Sequence, residues 1–283
     1  MSSFGIRAAA LVLSLLALDS RAAIKVSPPP LAEHIVVSDA PYPWDKDVHT
    51  IARIGDTQLF LSQSRGGSLA AGLLLGPIGV AANAKAVANR SADLASGVSV
   101  TDQFDIQAKI RELIAAQAPN MLEAASPTVS LAGALLISLD ADDKVRSSLI
   151  IRVTDTTQPN GWSKGYFYHF AQVGDAKAFQ AGGAAELIKV LSETLDQAIS
   201  LTTSVVLDDL HGQLTQVAPV TVTSDFTMPL GKAVIPFKGV RLADRDSIAV
   251  FRLDGKPAMV MFPTVDGIHL FQAGQYHEQP RAP

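Results

Sequence analysis

The chain of 283 residues has no cysteine. That excludes disulfides, which an exported chain could otherwise form. It equally excludes a lipid attached at an N-terminal cysteine. Charge is also scarce: 18% of residues are Asp, Glu, Lys or Arg, the formal net charge is −4, and no basic cluster occurs. Nucleic acid as the main partner is therefore excluded, since phosphate binding needs a concentrated basic surface. The fold must rest on its hydrophobic core, and 48% hydrophobic residues with a mean hydropathy of +0.23 supply one.

Local signatures of chemistry are missing as well. The six histidines (34, 49, 169, 211, 269 and 277) include no pair three or four apart and no H-E-x-x-H frame, so a local zinc motif is absent. There is no G-x-G-x-x-G fingerprint and no Walker loop. Asp140, Asp142 and Asp143 begin like a calcium loop. From Asp140, however, the fifth, sixth and twelfth positions hold Lys144, Val145 and Ile151, where oxygen ligands and a glycine are needed. No cofactor and no metal ligand is expected. Gly161-Trp162-Ser163-Lys164-Gly165 has the letters of a nucleophile elbow, which needs its serine on a strand-to-helix turn. Here the motif follows Pro159-Asn160 and enters a strand, so a hairpin turn is expected and no catalytic residue is assigned.

What is present begins with an address. Met1 to Arg7 is short with one positive charge, Ala8 to Leu18 is apolar apart from Ser14, and Ser20 and Ala22 offer small residues for cleavage. This is the order of a secretory signal, and its apolar stretch is shorter than the roughly 20 residues that span a bilayer. The expectation is an exported bacterial cell-envelope protein, located in the periplasm or peripheral to a membrane.

The domain layout follows from composition. Residues 1–22 read as the signal, 23–65 as a proline-rich segment with short strands, 66–92 as a glycine- and alanine-rich apolar segment, 93–212 as an α+β core and 213–283 as a C-terminal β unit. Residues 66–84 (GGSLAAGLLLGPIGVAANA) carry no charge, and Ser68, Gly72 and Gly76 recur four apart. On a helix those three share one face, the spacing by which helices pack closely in membranes or on one another. Pro77 interrupts any such helix, so a glycine-rich buried segment stands beside membrane contact and self-association as a reading.

The rest is patterned. Asp105 to Gln117 predicts an amphipathic helix with Ile106, Ile110, Leu113 and Ile114 on one face. Leu131–Leu139, Val145–Val153 and Tyr166–Val173 predict an antiparallel β-meander. Ala184 to Leu210 predicts one long amphipathic helix of roughly 40 Å that packs on it. Strands are expected at 217–223, 233–237, 247–253, 257–262 and 268–271, with Asp254-Gly255 and Asp266-Gly267 as hairpin signals. The fold class is α+β: a meander packed by a long helix, then a small antiparallel β unit. This order of elements resembles that of periplasmic accessory subunits of envelope transport and secretion systems.

Two calls concern surfaces. Trp162, Tyr166 and Tyr168 form a candidate partner or ligand surface. Asp208 and Asp209, set against the dipole at the end of the long helix, read as a surface mismatch. The functional expectation is a non-catalytic assembly, transport-accessory or scaffold component whose partners are other envelope proteins or further copies of itself. A periplasmic hydrolase and a small-ligand binding module are the alternatives.

Overall fold

The computed structural model describes residues 34–39, 51–55, 58–62, 89, 105–122, 127–139, 144–157, 162–175, 184–224, 236–254 and 266–281. The signal segment, residues 66–84 with Ser68, Gly72 and Gly76, the expected strand at 257–262 and the Asp140 to Asp143 turn lie outside the described residues. Among the described residues the fold is mixed α/β, with one large sheet and two long helices. The strands are β1 (Ile35–Val37), β2 (Ile51–Gly55), β3 (Gln58–Ser62), β4 (Val129–Leu139), β5 (Lys144–Asp155) and β6 (Ser163–Asp175). They continue with β7 (Gln216–Thr223), β8 (Phe237–Leu242), β9 (Ala249–Leu253), β10 (Gly267–Phe271) and β11 (His277–Pro280). The helices are α1 (Ile106–Gln117) and α2 (Ala184–Leu210).

Ten strands form the path β11-β7-β8-β9-β10-β6-β5-β4-β3-β2, and β1 also pairs with β4. β4 is antiparallel to β5, and β5 to β6. At β10 the sheet changes character. β10 pairs in parallel with β6, Gly267 to Leu270 against Gly165 to Tyr168, and antiparallel with β9. The strands of residues 213–283 therefore continue the sheet of β4 to β6, and the β6–β10 pairing is where the two sets of strands meet. The closeness of that seam depends on glycine. A Cβ on Gly267 would run into the Gly165 carbonyl.

Alternation sets the two faces. Val129, Leu131, Leu135 and Ile137 of β4 share a face with Leu149, Ile151 and Val153 of β5 and with Tyr166, Tyr168 and Phe170 of β6. Both helices pack on this face. α2 contributes Leu191, Leu195, Ala198, Ile199, Val205 and Val206 to the same cluster, and α1 contributes Ile106, Ile110 and Ile114. Burying each such side chain is worth roughly 1.5–3 kcal/mol, which outweighs the weak intrinsic helix preference of Thr, Val and Ile in α2. On the opposite face, Ala132, Ala134, Leu136, Ile150 and Phe167 form a second buried cluster. Val220, Val222, Phe237, Phe251, Leu253 and Phe271 form a third. Central strands buried on both faces explain why β4 reads as a continuous apolar run.

α1 starts as its sequence directs. Asp105 caps it, its carboxylate accepting from the Ala108 N–H at 2.8 Å. Its contact with β4 was not legible. β1 and β3 both lie parallel to the same edge of β4, β1 against Val129 to Leu131 and β3 against Leu135 to Leu139. Between them the edge is completed by a side chain. Gln107 Nε2 donates to the Gly133 carbonyl at 3.2 Å, and the Gly133 N–H donates to Gln107 Oε1 at 2.9 Å. The amide thus stands in for a strand residue. Ile106 lies so near that a Cβ on Gly133 would meet its Cγ2 at 2.5 Å.

Three expectations are corrected. The strand placed at 233–237 runs instead from Phe237 to Leu242, because Val240 and Leu242 supply the helix-facing positions. Asp266-Gly267 is not itself a turn; Gly267 is the first residue of β10. β11, with every residue exposed, has no hydrophobic pattern by which a sequence would announce it.

Candidate functional site

Two polar clusters sit on the β6–β10 seam, one on each face of the sheet. The first forms around the C-terminal end of α2. Tyr166 of β6, Ile268 of β10 and Arg252 of β9 lie side by side across three strands. Asp209 reaches them from α2. Its Oδ2 accepts from the Tyr166 hydroxyl at 2.8 Å and from Lys164 Nζ at 3.2 Å, and its Oδ1 accepts from Arg252 Nη2. The Lys164 and Asp209 side chains are each 3% exposed. Lys164 also lies over the Trp162 ring, 5.9 Å from its centroid. Burial pulls the Lys164 ammonium below the ordinary lysine range, although Asp209 beside it acts the other way. Burial, reinforced by the Asp209 charge, raises the Tyr166 hydroxyl well above its usual value, so it stays a neutral donor. One residue earlier, Asp208 accepts from Arg245.

The second cluster lies on the opposite face. Ser148 Oγ is 2.8 Å from His169 Nδ1, and His169 Nε2 is 3.0 Å from His269 Nδ1. Ser148 comes from β5, His169 from β6 and His269 from β10, so a single hydrogen-bonded chain crosses three strands and the seam. All three are buried. Phe167 stacks on His269 with centroids 4.7 Å apart, and Phe271 stacks on His169 at 4.5 Å. Burial, with His269 as the second cause, holds His169 well below the ordinary histidine range, so at neutral pH it is an uncharged imidazole. Further ties join the same strands. Gln275 Nε2 donates to the His169 and Phe170 carbonyls, and Gln272 Nε2 donates to the Tyr168 hydroxyl.

The residues singled out from sequence fare unequally. Trp162, Tyr166 and Tyr168 do not make a common surface: Trp162 is half-buried at the start of β6, while Tyr166 and Tyr168 are buried in the core with Phe170. Period-two spacing aligned them on one face of the strand, and that face is the one α2 covers. Ser163 opens β6, and its hydroxyl meets Thr154 Oγ1 across the hairpin at 3.3 Å. Asp209 is not a surface mismatch. The cations that hold it lie on strands 43 and 45 residues away in sequence, beyond the reach of local reading. His169 is buried, and its pairing with His269, 100 residues on, has no local signal. Among the described residues, no group of three or more His, Asp or Glu is placed to hold a metal ion, and no helix is long and apolar enough to cross a membrane.

Comparison with models of known protein families, with characterised proteins and with solved structures gives no match. The functional reading therefore rests on the residues themselves.

Proposed function

We propose that the protein is an exported, non-catalytic component of the bacterial cell envelope that serves assembly, transport or scaffolding. In this reading residues 93–212 are the α+β core, a meander packed by a long helix, and residues 213–283 an appended β unit. The observation that carries it is how the polar chemistry is spent. Asp209 accepts from Lys164, Tyr166 and Arg252 inside the fold and so locks α2 to strands on both sides of the seam. Buried charge networks of this kind hold a shape more than they perform a reaction. The secretory signal and the residues 66–84, with their small-residue face at Ser68, Gly72 and Gly76, support the location and a contact with membrane or a second copy.

The test is fractionation with chemical cross-linking in the cell that makes the protein. Mature chain is expected in the envelope fraction, cross-linked at fixed stoichiometry to an envelope protein or to itself. A monomeric chain with no cross-linked partner overturns the scaffold reading. Recovery without detergent in the soluble periplasmic fraction overturns the membrane contact.

A second reading, a hydrolase, is favoured by one arrangement: a serine hydroxyl hydrogen-bonded to a histidine that a second group orients. The depressed basicity of His169 opposes it, because the imidazolium formed during catalysis is disfavoured where it would have to form. Labelling the intact protein with a fluorophosphonate decides. Adduct on Ser148 that is lost in Ser148→Ala supports the hydrolase, and an unlabelled protein eliminates it.

A further inference from the structure

We infer that the Ser148–His169–His269 chain is an acid-sensitive latch on the β6–β10 seam, whose protonation loosens the C-terminal strands from the rest of the sheet. The argument starts from hydrogen counting. The His169 Nε2 to His269 Nδ1 contact of 3.0 Å has room for one hydrogen. With one hydrogen in that contact the chain closes in either of two tautomeric directions, with the Ser148 hydroxyl turning to suit. When both rings are protonated, two N–H groups point at each other. The bond is then replaced by like charges in contact.

Phe167 and Phe271 stack on the rings, and Ala132, Ala134, Leu136 and Ile150 share their face. The charged groups that alternation places on this face among the described residues are Lys144, Arg146 and Arg152 of β5, Arg241 of β8, Asp175 of β6 and Glu278 of β11. β4, β9 and β10 contribute none there within their described side chains. Arg241 is paired with Glu278 and Asp244, and Asp175 is six residues along β6 from His169, roughly 20 Å at the rise of a strand.

The position makes the chemistry consequential. The latch spans the seam where β6 meets β10 over four paired residues. The other polar clamp, on the helix face, is built from a carboxylate, a lysine, a tyrosine and an arginine, with no histidine among them. Acid therefore removes one of the two clamps and leaves the other. The linkage has the matching sign. A histidine whose folded-state affinity for protons is lowered stabilises the fold above the unfolded value of about 6.5, and that contribution is lost as pH falls below it.

The experiment is hydrogen exchange on the intact protein at pH 7.5 and pH 5.0, corrected for the intrinsic pH dependence of exchange. Amides of β10 (Gly267–Phe271) are expected to lose at least tenfold protection relative to amides of β4 and β5. In the His169→Gln/His269→Gln double variant the two pH values are expected to give equal relative protection. A uniform change across the sheet overturns the latch, and so does a β10 loss that persists in the double variant. If that variant does not fold, NMR titration of the wild-type imidazoles decides. Rings that protonate together with the loss of β10 protection support the latch, and rings still neutral when protection is gone overturn it.

Discussion

Asp209 shows how one side chain is decided by its distant neighbours. At the last turn of a helix a carboxylate opposes the dipole, at a cost of about 0.3–1 kcal/mol. Here three donors from β6 and β9 reverse that balance. Asp209→Asn keeps the shape but removes the charge that compensates Lys164 and Arg252. It is expected to lower unfolding stability by about 3 kcal/mol, read from urea denaturation, because it leaves buried cations unpaired. Lys164→Met removes one partner of a shared carboxylate and fits the same apolar path under Trp162. It is expected to cost less, since Tyr166 and Arg252 still hold Asp209. Equal losses for the two variants would mean that Lys164, rather than Asp209, organises the cluster.

At the scale of elements, the sequence outlined the regular ones well. Ala184 to Leu210 is helical from end to end, because its apolar stripe keeps the 3.6-residue period throughout. β4, β5 and β6 each extend two or more residues beyond the runs read from pattern. What the pattern did not reveal is the join of α1 to β4, where a glutamine amide completes a strand edge left open between β1 and β3. Gln107→Ala leaves the Gly133 N–H and carbonyl without that partner and is expected to cost about 1–3 kcal/mol. Gly133→Ala is expected to cost a similar amount by forcing Ile106 and Ile110 away from the sheet. Thermal denaturation of each variant checks both. A Gly133→Ala protein with an unchanged Tm would show that α1 moves freely over β4.

For the whole molecule, the seam between β6 and β10 governs how the chain comes apart. At pH 7.5 both polar clamps are in place, and one cooperative urea transition is expected, the same by tryptophan fluorescence and by circular dichroism. Below pH 6.5 the midpoint is expected to fall, and the two probes are expected to separate as β7–β11 loosen before β4–β6. Trp162, beside Lys164 at the start of β6, reports locally on the seam. A midpoint that does not move between pH 7.5 and pH 5.0 contradicts the sign worked out for His169.

The sequence by itself determined the class of structure and its local parts. Periodicity set the helices and strands, and Asp105 capped α1. The lack of cysteine left hydrophobic burial to hold the fold. These are properties of neighbours along the chain, and a pattern of neighbours can be read. Only the tertiary structure decided that Tyr166 and Tyr168 are core and that Asp209 is a buried clamp. The same holds for His169, which meets His269 across strands 100 residues apart. Those outcomes depend on which strands pair across the β6–β10 seam and on which face of the sheet α2 covers. Neither is encoded in the spacing of residues along one segment, because both arise from packing between segments far apart in the chain.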